Sequence, residues 1–206
     1  MAKANWVKVT PSQGSGDATV NVSSVSEHTG REVRTTILTW KATNVGDTQR
    51  TVRQAGKTEY VDIADTASAD KAGKIVTITG VTNSSKLYFS LGGGDLDITL
   101  PTYYKANSVD TPVKAPGTII SVIDGDPGAL AEFPFSISIT VPANTSTVAK
   151  SRSIIVTDNA GNEDSCRLTS AAGDAYVTIT SGDIELDYLG TPVAVAVKSN
   201  TNWTIE

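Results

Sequence analysis

Residues 193–206 read VAVAVKSNTNWTIE. Val193, Val195 and Val197 alternate with small or polar residues, a polar Ser-Asn-Thr turn follows, and Trp203 and Ile205 alternate again. A period of two marks a strand, a tight turn and the opening of a second strand, each with one face turned inward. Short runs of the same kind fill the chain: DATVNVS (17–23), KIVTITG (74–80), DLDITL (95–100), FPFSISITV (133–141), SIIVT (153–157), DIELDYL (183–189) and TPVAVAV (191–197). They are rich in β-branched residues. Turn-forming clusters separate them, among them PSQGSG, EHTGRE, ATNVGD, LGGGD, DGDPG and DNAGNED. No run keeps helical period beyond two turns. The expected fold class is all-β, with short antiparallel strands stacked as sandwiches.

Composition narrows the functional classes. Of 206 residues, 39% are hydrophobic and 19% charged, the balance of a chain that buries a core. A formal net charge of −5 with no basic run argues against nucleic acid as a partner. No stretch approaches the roughly 20 apolar residues of a membrane-spanning helix, so no membrane partner is expected. MAKANWVKVTP lacks the apolar core of a secretory signal, and lone Cys166 needs no oxidising compartment; synthesis and folding in a cytoplasm are expected.

Internal similarity sets the domain organisation. QAGKTEYVDI (54–63) recurs as AAGDAYVTI (171–179) with one residue deleted, placing Gly56 and Gly173 117 apart (173 − 56). TNSSKLYFS (82–90) resembles SNTNWTI (199–205), and Asn83 and Asn200 are again 117 apart (200 − 83). Val20 and Val22 meet Ile137 and Ile139 at the same interval (137 − 20). A fixed interval implies repeated units. One complete unit spans residues 65–179, with an insertion near 92–134. Residues 1–64 read as the later part of a second unit and 180–206 as its opening part, so a composite domain of 1–64 plus 180–206 is expected. Its core would hold Trp6, Trp203 and Ile205, with Glu206 close to Met1. Closure within one chain is the favoured arrangement, because a short link raises effective concentration. Strand exchange between subunits is the alternative.

Read across that join, the sequence resembles the BACON family of immunoglobulin-like modules, which are associated with Bacteroidetes and with carbohydrate binding. The matching positions are Asn200 and Trp203, then Trp6, Pro11, Gly14 and Gly16, then Thr29, Gly30, Arg34 and Ile37, and finally Val52, Gln54 and Gly56. His28 stands where the family usually has Asn. In the middle unit Leu87 replaces the first Trp. The resemblance implies two immunoglobulin-like β-sandwiches, one of them permuted.

Catalytic and metal-binding constellations are not expected, nor any cofactor. One His and one Cys preclude the usual zinc ligand sets, and His28 lies in a glycine turn with no G-x-S-x-G motif anywhere. Cys166 reads as a small strand residue. Asp124 and Asp126 in DGDPG lack the rest of a calcium loop. Asp183, Glu185 and Asp187 alternate as a wet strand face, and LGGGD is followed by no Lys-Ser/Thr and no helix. Trp40, Tyr103 and Tyr104 are the aromatic candidates for contact with a partner or glycan, since such rings anchor interfaces. The expected function is a structural protein of a bacteriophage virion, assembled in the bacterial host cytoplasm. An auxiliary or decoration protein on the capsid surface fits best, with major capsid or other virion proteins as partners. A non-catalytic carbohydrate-binding or adhesive module, contacting surface glycans, is the other reading.

Overall fold

A computed structural model describes residues 3–206. Among them there is no α-helix, only strands, turns and one 3-10 turn at Pro127–Ala129. Before residue 57 lie β1 (Val7–Thr10), β2 (Asn21–Ser24), β3 (Arg34–Ala42) and β4 (Val45–Gln54). The middle of the chain forms β5 (Val61–Ile63), β6 (Thr66–Ala69), β7 (Lys74–Thr82), β8 (Leu87–Gly94), β9 (Tyr103–Ala106), β10 (Val109–Pro112), β11 (Phe133–Val141), β12 (Lys150–Asp158) and β13 (Glu163–Ser170). The short strands β14 (Val177–Ile179) and β15 (Val197–Ser199) follow.

Residues 61–170 make a β-sandwich. One sheet has the order β10-β9-β11-β7-β5 and the other β6-β13-β12-β8; all pairings are antiparallel except β6 with β13. Period-two burial explains the packing. On β11, Phe133, Phe135, Ile137, Ile139 and Val141 point inward while their neighbours do not. They share one core with Val76 and Ile78 from their own sheet and with Leu87, Phe89, Ile154, Val156, Cys166 and Leu168 from the facing sheet. Each large side chain fully buried there contributes about 1.5–3 kcal/mol.

The insertion near 92–134 is less peripheral than its polar sequence suggests. DLDITL, expected as a strand, runs extended without a ladder, yet Leu96 and Ile98 enter the core. β9 and β10 form a hairpin closed by Asn107 and Ser108, both at positive φ, and β9 adds to the edge of β11.

Residues 3–57 form two separate two-stranded sheets, β1-β2 and β3-β4, and β14-β15 is a third. DIELDYL and most of TPVAVAV were expected as strands, but residues 180–196 join no ladder. Their alternation is present; an adjoining strand is not. The two flanking segments also occupy opposite ends of the middle sandwich. Residues 29–32 meet 83 and 126–132, beside the Thr82–Phe133 end of the β7–β11 pair. Residues 173–200 meet 71 and 144–146, beside its Lys74–Val141 end. Nine residues of β7 separate these ends, about 30 Å at 3.3 Å per residue. The favoured closure of 180–206 onto 1–64 within one chain is therefore not formed. Met1, expected near Glu206, lies outside the described residues.

Candidate interaction site

The repeat is built into the hydrogen bonds at the two ends of the middle sandwich. Asn83 is fully buried; its Nδ2 donates to the carbonyls of Thr29, Lys57 and Thr58, and its Oδ1 accepts from the Tyr60 amide (3.0 Å). Asn200 Nδ2 donates to the carbonyls of Thr145 and Asp174, and its Oδ1 accepts from the Tyr176 amide (2.9 Å). The residue before each asparagine repeats too: Thr82 Oγ1 donates to the Tyr60 carbonyl, Ser199 Oγ to the Tyr176 carbonyl. The ladder Val61↔Thr82, Asp62↔Val81, Ile63↔Gly80 recurs as Val177↔Ser199, Thr178↔Lys198, Ile179↔Val197. On the loop facing each asparagine, His28 Nε2 donates to the Glu32 carbonyl and Asn144 Nδ2 to the Val148 carbonyl. Lys57 N donates to Gly30 O as Gly173 N does to Ser146 O. Small polar side chains recur here because backbone carbonyls left at strand ends need donors.

The first junction also holds a cluster of charged groups around Arg31. Arg31 Nη1 donates to the Asn83 carbonyl (2.8 Å), Nη2 to Asp126, and Nε lies 3.6 Å from Glu59. The Asp126 hydrogen bond, followed by the Asp126 and Glu59 charges, holds the guanidinium above its ordinary pKa against the opposing effect of burial. Arg31 and Glu32 amides donate to the Gly128 and Ala129 carbonyls, and a Cβ on Gly30 would overlap the Leu130 carbonyl. Asp126 therefore serves a domain junction.

The segment 3–57 holds an open cleft of about 680 Å³, lined by Val9, Val20, Leu38 and Trp40 among apolar groups and by Lys3 and Lys41 at its charged margin. The middle sandwich explains why it is open. The β3–β4 register is that of β12–β13 displaced by 116 residues on each strand, since Arg34↔Gln54 falls on Lys150↔Ser170. Leu38 and Trp40 thus correspond to Ile154 and Val156. Both of the latter are 0% exposed, whereas Trp40 is 41% exposed. What covers Val156 is its facing sheet, and the matching cover over Trp40 is missing among the described residues.

The aromatic candidates separate. Tyr103 is exposed and stays available for contact. Tyr104, one residue on, is 2% exposed and packs on Phe89 with ring centroids 4.7 Å apart. Its expected role in partner contact is corrected to a core role, because alternation on β9 sends one of two adjacent tyrosines inward. Trp6 is half-buried under the Arg34 guanidinium, 4.7 Å from the ring centroid. Trp203 and Ile205 are 47% and 84% exposed and do not share a core with Trp6. Their equivalents after β7, Leu87 and Phe89, are at most 1% exposed.

Other chemical groups are committed to structure. Cys166 is buried, and burial followed by the Asp164 and Asp65 charges pushes its thiol up to about 11. Asp187 accepts from Thr191 and from the Leu189 amide in a turn, which lowers its pKa. Among the described residues no group of three His, Cys, Asp or Glu is placed to hold a metal ion, and no helix is long and apolar enough to cross a membrane. No family model matches the chain, and no curated protein does.

Proposed function

We propose that this protein is a structural component of a bacteriophage virion, an auxiliary or decoration protein on the capsid surface, built from BACON-like immunoglobulin-type sandwiches. The observation that carries the reading is the recurrence of one set of junction hydrogen bonds at both ends of the middle sandwich, around Asn83 and Asn200. Units joined by the same bonds repeat in fixed register, which suits a protein whose work is geometric. The immunoglobulin-type topology is supported by the sheet orders: β5-β7-β11-β9 and β8-β12-β13 follow the ABED and CFG arrangement. The BACON-like assignment is supported by Thr29, Gly30 and Asn200, three matching positions of that resemblance, lying within the junction network. The permuted domain of 1–64 plus 180–206 belongs to the same proposal, as does the absence of catalysis. The test is to purify virus particles and quantify the protein in them. Fixed stoichiometry with the major capsid protein is expected; absence from purified particles would contradict the proposal.

One observation favours a second reading, a carbohydrate-binding or adhesive module. Trp40 stands 41% exposed on an open cleft whose lining mixes Val9, Val20 and Leu38 with Ser12, Gln13 and Thr39, the placement of a ring that stacks on sugars. Glycan-array binding that Trp40→Ala abolishes would favour it.

A further inference from the structure

We infer that residues 174–206 of one copy complete the open sandwich formed by residues 3–57 of a second copy, joining chains head to tail. The inference rests on strand complementarity and charge, and is independent of where the protein works.

The strands match by absence and presence. In the middle sandwich β11 is flanked by β7, β13 by β6 and β12 by β8. β2, β4 and β3 stand at the places of β11, β13 and β12, and among the described residues each has only one neighbouring strand. Residues 174–206 carry the counterparts of β6 and β7, and Trp203–Glu206 those of the first half of β8. β14 and β15 reproduce the β5–β7 ladder, and Val193 and Val195 fall where Val76 and Ile78 lie on β7, 117 residues earlier (193 − 76). Val76 and Ile78 are 8% and 1% exposed; Val193 is 49% exposed. An apolar row that its counterpart buries is thus only partly covered here, and so is the cleft around Val20 and Trp40 that would receive it.

The register follows without adjustment. Val76 faces Ile139 and Ile78 faces Ile137 across β7 and β11. Carried over by 117 residues, the same register sets Val193 opposite Val22, Val195 opposite Val20 and Ala194 opposite Asn21. DIELDYL would lie parallel beside β4, as β6 does beside β13.

Charge agrees. Residues 3–57 contain eight Lys and Arg against four Asp and Glu; residues 180–206 contain Asp183, Glu185, Asp187 and Glu206 against Lys198 alone. On the outer face of DIELDYL, Glu185 would fall beside Arg53 of β4, as Ser68 falls beside Thr169 on β13. Opposite net charge steers the two segments together. The partner is a second copy because the segments of one chain sit at opposite ends of a rigid sandwich. A heterologous contact of this kind propagates into rings or filaments.

The test is a disulfide across the inferred ladder. In the middle sandwich the counterparts of Ala194 and Asn21 are Thr77 and Ser138, whose hydroxyls are 3.0 Å apart. The double variant Asn21→Cys/Ala194→Cys, mildly oxidised, should give a ladder of disulfide-linked multimers on a non-reducing gel. Mixed single variants should link only to each other. Thr77→Cys/Ser138→Cys should give a linked monomer under the same conditions, which checks oxidation and folding. A linked monomer from Asn21→Cys/Ala194→Cys would overturn the inference, and so would failure to link while the control links. Val193→Asp provides a second readout. It should weaken self-association at least tenfold while the thermal transition of the middle sandwich stays in place, and undiminished association would overturn the inference.

Discussion

Asn83 and Asn200, 117 residues apart, make the same hydrogen bonds: each amide donates to carbonyls of the preceding loops and accepts from the amide of a tyrosine, Tyr60 or Tyr176. Asn83 does so fully buried, and Asn200 half-buried. Asn83→Ala strands buried polar groups on both sides and is expected to cost about 2–4 kcal/mol in denaturant unfolding. Asn200→Ala, where water replaces the lost partners, is expected to cost under about 1 kcal/mol in dilute solution. Equal costs at the two sites would contradict this account of the junctions.

Tyr103 and Tyr104 should behave oppositely. Tyr104→Ala empties part of the core beside Phe89 and is expected to cost about 3–5 kcal/mol. Tyr104→Phe removes a buried hydroxyl that has no hydrogen-bond partner and should be neutral or stabilising by about 1 kcal/mol. Tyr103→Ala should stay within about 0.5 kcal/mol of the unmodified protein. Melting curves of the three variants check the order.

Alternation alone revealed much of this fold. FPFSISITV is β11 to the residue, and KIVTITG opens β7, because inward residues at every second place leave little choice of face. The adjacent tyrosines show the limit: a pair carries no signal for which one faces in until the register on β11 is known. DIELDYL and TPVAVAV show another, since alternation states a strand's readiness to pair but not whether its partner is in reach. The roles of Asn83 and Asn200 were within sight at their shared interval, where each follows a Thr or Ser at the end of a β-branched run.

Burial of Cys166 gives a pH dependence of known sign. Its thiol is raised to about 11, while an unfolded cysteine titrates near 8.5. Below about pH 8.5 both states keep the proton and the thiol contributes no slope. Above it the unfolded chain loses the proton first, so stability falls with rising pH toward about 11. From about pH 10 the buried Tyr104 and the partly buried Tyr60, also raised, add to the fall. Unfolding free energies at pH 8, 9 and 10 should decline in the unmodified protein and decline less in Cys166→Ala. A thiol reagent should label Cys166 only upon unfolding.

Arg31 should govern how tightly residues 3–57 hold to the middle sandwich. Arg31→Ala removes the bonds to Asn83 and Asp126 and leaves Asp126 and Glu59 uncompensated. Hydrogen exchange at the amides of residues 31 and 32 is expected to accelerate at least tenfold, with Ile154 and Val156 on β12 unaffected. Unchanged protection at 31 and 32 would show that the backbone bonds to Gly128 and Ala129 suffice.

The head-to-tail account is tested most directly by sedimentation of the unmodified chain over a wide concentration range, with tryptophan emission recorded on the same samples. The account predicts species in multiples of 21.5 kDa that grow with concentration. It also predicts a blue shift as Trp40 and Trp203, now 41% and 47% exposed, leave water. A single 21.5 kDa species at every concentration, with unchanging emission, would contradict it.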